Sequence, residues 1–214
     1  MTMKISDRIL NKPIIIAHET FRLTPNQLSV IGFGVGLLAA GMVAVGQLQI
    51  GLVTLAISQI LDGLDGGIAR RYGLSSARGK TLDSVFDRLS ELAIFLALAV
   101  AGLASYRMAA LAFVAVLLVT AVEPYSRFDP GFKRFMVYFG YLATVFFHVN
   151  GFEIALHLVF WANLGSCAVG TIIADYRLQR DIDEQELARR RAEHALGKSP
   201  LPDDPPSLLS RLFA

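Results

Sequence analysis

The sequence predicts an all-α, polytopic membrane protein of six transmembrane helices with both termini in the cytoplasm. Composition points there first: 54% of the 214 residues are hydrophobic and only 18% are charged, with a mean hydropathy of +0.50. Soluble domains of this size carry more charge. Second, the charges fall in short clusters between long apolar stretches, as expected where lipid excludes them. Third, those stretches approach the ~20 helical residues that a hydrocarbon core demands, and lysine and arginine favour alternate connections.

The elements follow in order. Residues 1–22 form an N-terminal arm in which Ile5, Ile9 and Leu10, beside Lys4, Arg8 and Lys12, have the pattern of an interfacial helix. Its apolar patch, Pro13 to Ala17, is too short for the apolar region of a secretory signal. A core over 23–175 holds the six spans, at about 27–46, 49–70, 82–105, 107–126, 133–150 and 153–175. All must be helical, because lipid offers backbone groups no other partner. Thr24-Pro25-Asn26 reads as a helix start, with Thr24 as cap and Pro25 in the first turn. Gly46-Gln47 closes the first pair of spans and His148 to Glu153 the last. From 176 to 214 a charged, helix-forming stretch gives way to a proline-rich end.

Orientation comes from the basic residues. Lys4, Arg8, Lys12 and Arg22 precede the first span; Arg70, Arg71, Arg78, Lys80 and Arg88 surround the second connection. Arg127, Lys133 and Arg134 mark the fourth connection, and the opposite side carries Arg107. The positive-inside rule therefore places both termini in the cytoplasm. A net charge of +2 gives no reason to expect a nucleic-acid partner. The lone Cys167 excludes a disulfide framework within the chain and reads as a packing residue.

The chemistry concentrates in Asp62, Asp65, Asp83 and Asp87. The second span descends toward the cytoplasm and the third returns, so both pairs reach the same depth. Spacings of i,i+3 and i,i+4 put each pair on one helix face. Carboxylates converging among apolar helices repel and are costly to desolvate, and divalent cations relieve both problems. An all-oxygen set suits magnesium or manganese better than zinc, and two such ions can clamp the oxygens of a phosphoryl displacement. Gly63, Gly66 and Gly67 remove side chains beside the acids, at ~1 kcal/mol each relative to alanine in a helix. Arg70, two turns beyond Asp62, is placed to meet a phosphate from the cytoplasmic rim. Taken singly, Gly67 reads as a packing residue and Asp83 equally as a helix cap.

The stretch DGLDGGIARRYGLSSARGKTLDSVFD, residues 62–87, resembles the signature of the CDP-alcohol phosphatidyltransferase family. In spacing it is Asp-x2-Asp-Gly-x2-Ala-Arg-x8-Gly-x3-Asp-x3-Asp, and Asp62, Asp65, Gly66, Ala69, Arg70, Gly79, Asp83 and Asp87 fill every fixed position. The preceding LTPNQLSVIGFGVG is similar to the family's entry into its first span. The resemblance covers roughly 20–175. It implies a homodimeric membrane enzyme that displaces CMP from a CDP-linked lipid with an alcohol, at the cytoplasmic side of the cell membrane. It also implies that the four aspartates surround two metal ions, that Asp65, Gly66, Ala69, Arg70 and Gly79 contact the CDP moiety, and that Asp87 is the general base.

These motifs leave the acceptor open. Arg127, Lys133 and Arg134 could bind the phosphate of an inositol phosphate or a glycerol phosphate, or serve only as positive-inside anchors. LDSVFDRLSE, which includes Glu91, resembles the inositol-phosphate-using members and adds Glu91 to the acceptor candidates. A divalent-cation transporter is the non-enzymatic alternative, though transport calls for acids nearer the midplane. A phosphatase using water as acceptor is the enzymatic one.

Overall fold

The computed structural model describes residues 11–20, 22–126 and 133–195. All regular structure among them is helical. A short α1 (Asn11–Ile15) runs into a π-helical turn (Ile16–Thr20), followed by α2 (Pro25–Ala44), α3 (Leu48–Arg71), α4 (Ala77–Val100), α5 (Tyr106–Ser126), α6 (Phe135–Phe147) and α7 (Gly151–Ala195). Four of these, α2, α3, α5 and α7, are long and apolar enough to cross a membrane. The expected interfacial helix over Ile5, Ile9 and Leu10, the acceptor candidate Arg127 and the proline-rich end lie outside the described residues.

The two remaining predicted spans differ for identifiable reasons. Helix α4 is 24 residues long, but Asp83, Asp87, Arg88 and Glu91 interrupt its apolar character. Helix α6 has 13 residues, about 20 Å at the helical rise, against the 18 expected. It is bounded by the turn at Lys133-Arg134 and by His148, whose left-handed backbone (φ 53°) ends the helix.

Helix starts are set locally. Thr24 caps α2 through a reciprocal box: its Oγ1 accepts from the Gln27 amide at 3.3 Å while the Thr24 amide donates to Gln27 Oε1 at 2.9 Å. Pro25 then supplies a first-turn residue that needs no amide partner. Ser76 caps α4 by accepting from the Gly79 amide at 3.0 Å. That start lies five residues before the predicted one, so Gly79 sits in the first turn of α4 rather than in the connection, and Asp83 is an interior residue rather than a cap. Ser105 begins α5, and Glu153 fixes it by accepting from the Ser105 amide at 2.7 Å and its hydroxyl at 2.8 Å.

By packing, the chain divides into two units, residues 1–117 with 131–161, and 118–130 with 162–214. In the first, α2 packs along both α3 and α4. Small residues allow this: a Cβ on Gly51 would stand 2.6 Å from Val43 Cγ2, and one on Gly36 would stand 3.0 Å from Ser58 Oγ and 3.2 Å from Ser90 Oγ. Ser58 donates to the Gly32 carbonyl at 2.8 Å, which satisfies a buried hydroxyl across the α2–α3 contact. The main apolar core gathers Val43, Leu55, Phe95, Leu98, Val116, Phe152 and Leu156. A smaller one, formed by Ile14, Ala17, Leu28, Leu64 and Ile68, joins the N-terminal turns to the end of α3. In the second unit, Gly170 lies against Val122 and Ser126. Exposed pairs such as Arg180–Glu184 (3.3 Å) and Arg189–Glu193 (3.1 Å) line the late turns of α7. The predicted change of character at 176 therefore occurs within one unbroken helix.

Candidate active site

Helices α3 and α4 place the acids. Asp62 and Asp65 lie in the last turns of α3, and Asp83 and Asp87 in the second and third turns of α4. The close approach of α2 to both helices, through Gly32 and Gly36, holds these ends together. Ligand oxygens from Asp62, Asp83 and Asp87 all lie within 4.8 Å of one another. Three partly buried carboxylates at that separation, with only oxygen donors, fit a hard divalent cation.

Asp65 is placed differently. It is 4% exposed and accepts a hydrogen bond from Ser29 Oγ of α2 at 2.5 Å. The same hydroxyl lies 3.1 Å from the Pro25 carbonyl, so Ser29 ties Asp65 to the capped end of α2. Sequence reasoning did not single out Ser29. A signal existed in the spacing, since Asn26 and Ser29 are three residues apart and share a face immediately after the cap.

Beside the acids is a cavity of about 600 Å³. It is lined by Asp65, Gly66, Ala69 and Arg70 from α3, by Gly79, Lys80 and Asp83 from α4, and by Asn26 and Ser29 from α2, with the Ser75-Ser76 turn closing one side. The five residues expected around a CDP group, Asp65, Gly66, Ala69, Arg70 and Gly79, thus share one cavity, and Asp83 belongs to both the cavity and the acidic trio. Two glycines keep it open. A Cβ on Gly66 would stand 2.9 Å from Arg70 Nη1, and one on Gly79 would stand 3.0 Å from Asn26 Oδ1. Asn26, Lys80 and the two serines were not among the sequence candidates.

Two arginines contact the acids. Arg134, at the start of α6, hydrogen-bonds Asp87 Oδ1 through Nη2, and its Nη1 lies 3.7 Å from Asp62 Oδ2. Its neighbour Lys133 is 2% exposed. Arg88 pairs with Glu91 at 2.9 Å, so the Glu91 carboxylate is engaged within its own helix, and Arg88 also lies 4.0 Å from Asp87 Oδ2.

Comparison with known proteins identifies the family. The family model described as CDP-alcohol phosphatidyltransferase matches residues 22–161. An archaetidylinositol phosphate synthase of Pyrococcus horikoshii is 37% identical over 105 residues, 49% of this chain and 54% of that protein. A bifunctional IPC transferase and DIPP synthase of Rubrobacter xylanophilus is 35% identical over 105 residues, 49% of this chain and 24% of that protein. The inner membrane protein YnjF of Escherichia coli is 38% identical over 93 residues, 42% of this chain and 41% of that protein. The chain thus spans about half the length, or less, of these curated relatives. Among solved structures, Mycobacterium tuberculosis phosphatidylinositol phosphate synthase with CDP-DAG bound superposes with a TM-score of 0.64 at 18% identity, covering 80% of this chain and 94% of that one. The same enzyme in complex with manganese and citrate gives 0.64 at 19% identity, over 76% and 87% of the two chains. At such identities these structures show a shared fold. The family match covers the acids of α3 and α4, the cavity and Arg134 together, and the chain belongs to the CDP-alcohol phosphatidyltransferase family.

Proposed function

We propose that this chain is a membrane transferase that moves a substituted phosphate from a CDP-linked lipid to an alcohol, releasing CMP, and that the acceptor is an inositol phosphate. The observation that carries the reading is the placement of the Asp62, Asp83 and Asp87 trio against a cavity that contains Asp65 and Arg70. Metal chemistry is needed beside a diphosphate, and here the two requirements meet at Asp83.

In this reading Asp65, Gly66, Ala69, Arg70 and Gly79 hold the CDP group in the cavity. Gly66 and Gly79 give it close access to the helices, and Arg70 meets the diphosphate with its planar fork. Asp62, Asp65, Asp83 and Asp87 are the candidate ligands for magnesium or manganese, which when bound would neutralise the diphosphate and the departing CMP. The acceptor hydroxyl loses its proton to Asp87 as its oxygen forms a bond to the phosphorus of the lipid phosphate. The bond from that phosphorus to the CMP oxygen breaks, and CMP carries away the electron pair. The chain's own contribution is placement and charge complementarity. Lys133 and Arg134, with Arg127 and Glu91, are the candidates for recognising the acceptor.

The membrane setting completes the reading. Six spans place both termini and the acids at the cytoplasmic face of the cell membrane, so the donor's chains stay in lipid while its headgroup enters the cavity. The functional unit is a homodimer. The inositol phosphate is supported by the name of one relative, the Pyrococcus archaetidylinositol phosphate synthase, and by the buried Lys133 beside Arg134. The test is CMP release by the purified protein with one CDP-lipid and a panel of acceptors. Release with inositol phosphate and not with glycerol phosphate is the expected result. Release with glycerol phosphate alone replaces the acceptor, and release with no added acceptor makes the protein a hydrolase.

A further inference from the structure

Arg134 contacts two of the three carboxylates that group closely enough to hold a metal ion. Its guanidinium bonds Asp87 Oδ1 and stands 3.7 Å from Asp62 Oδ2, and its side chain is 13% exposed. Asp62 and Asp87 come from different helices, and Asp83 completes the trio within 4.8 Å. A planar, rigid guanidinium fork can span two such acids, and a partly buried position strengthens each contact. We propose that Arg134 is the built-in counter-ion of Asp62 and Asp87, and that it competes with divalent metal for these two carboxylates. The inference rests on the reading of these aspartates as metal ligands.

Competition of this kind has a defined signature. The apparent affinity of a ligand falls in proportion to the fraction of molecules whose site is free to receive it. Each molecule with Arg134 on Asp62 and Asp87 must release that contact before a cation takes those oxygens. Removing the guanidinium therefore tightens metal binding, whereas removal of a residue that merely supports the fold would leave it unchanged or weaken it. Removal also takes away the cation that spans Asp62 and Asp87 and leaves Arg88, 4.0 Å from Asp87 Oδ2, as the remaining positive group given beside them, which is destabilising until a cation arrives.

The experiment measures Mn2+ binding by calorimetry to the full chain in detergent, after chelator treatment, for the wild type, Arg134→Gln and Arg134→Lys. Arg134→Gln is expected to bind Mn2+ roughly tenfold more tightly, within the usual range of coupling between sites. Arg134→Lys keeps a charge but cannot bridge both acids, and should shift the same way by less. That second variant carries the test if the glutamine variant does not fold. In chelator Arg134→Gln should melt below the wild type, and Mn2+ should raise its Tm by more. An Mn2+ constant unchanged or weaker in the folded variants, with the wild type still binding, overturns the counter-ion role alone. No Mn2+ binding by any of the three proteins removes the metal reading itself.

Discussion

Asp87 carries the most chemistry for its size, because it belongs to the acidic trio, receives Arg134 and is the proposed base. Replacing it by asparagine keeps its shape and removes its ability to take a proton. Asp87→Asn is expected to lower CMP release by at least ~10²-fold, the lower share usual for a general base. The CDP-lipid should still bind, as measured by equilibrium binding of a labelled donor. Substantial turnover by this variant would remove Asp87 from the base role. Ser29 acts more quietly. Its hydroxyl is the side-chain donor that the structure gives Asp65, across the α2–α3 contact. Ser29→Ala leaves a buried carboxylate short of a charge-assisted hydrogen bond, a loss of about 1.5–3 kcal/mol in typical cases. The expected result is a lower Tm and a raised KM for the CDP-lipid, with Ser29→Thr recovering much of both. An alanine variant indistinguishable from the wild type would mean that Asp65 keeps its position without the serine.

The helices matter through how closely they approach. Gly36 is the point where α2 meets both Ser58 of α3 and Ser90 of α4, and a Cβ there would already be tight against both hydroxyls. Gly36→Val should therefore destabilise the fold by about 1–3 kcal/mol, the usual cost of overpacking, and separate the acids it helps to align. The readout is thermal unfolding in detergent together with Mn2+ affinity. A variant that melted normally and bound Mn2+ normally would show that the two acidic ends meet without this contact. The N-terminal turns are held through Tyr72, which donates to Glu19 Oε1 at 2.8 Å and whose ring lies 4.1 Å from that of His18, while Arg71 stands 5.9 Å from the centre of the Tyr72 ring. These contacts fasten the end of α3 next to Arg70, and the sequence showed only scattered polar residues there. The Tyr72–Glu19 bond joins residues 53 positions apart, which no local pattern can anticipate.

For the whole molecule, the proposed topology makes separate predictions. Cysteines introduced singly at Gly73 and Gly102, both exposed turn positions, should differ in access. In sealed cells an impermeant thiol reagent should label the Gly102 variant and spare the Gly73 variant, with Cys167 replaced beforehand. The reverse pattern would invert the protein and put the acids at the outer face. Thorough chelation should abolish CMP release and added Mg2+ or Mn2+ should restore it, and full activity in chelator would end the metal proposal.

The all-helical class and the spacing of the acids were legible in the chain because both are local properties. Lipid leaves a long apolar run little choice but to be helical, and i,i+3 and i,i+4 spacings fix a shared face whatever surrounds it. Caps were legible where their chemistry is local, as at Thr24, and less so at Ser76, where charge near the helix start hid five helical residues. The partners of the acids came only with the tertiary structure. That Asp65 turns to Ser29 while Asp62, Asp83 and Asp87 converge depends on how α2, α3 and α4 pack. That Arg134 reaches two of those acids depends on where α6 begins. A sequence states which side chains carry charge, but distances between helices far apart along the chain are set by packing, and electrostatic pairing follows distance.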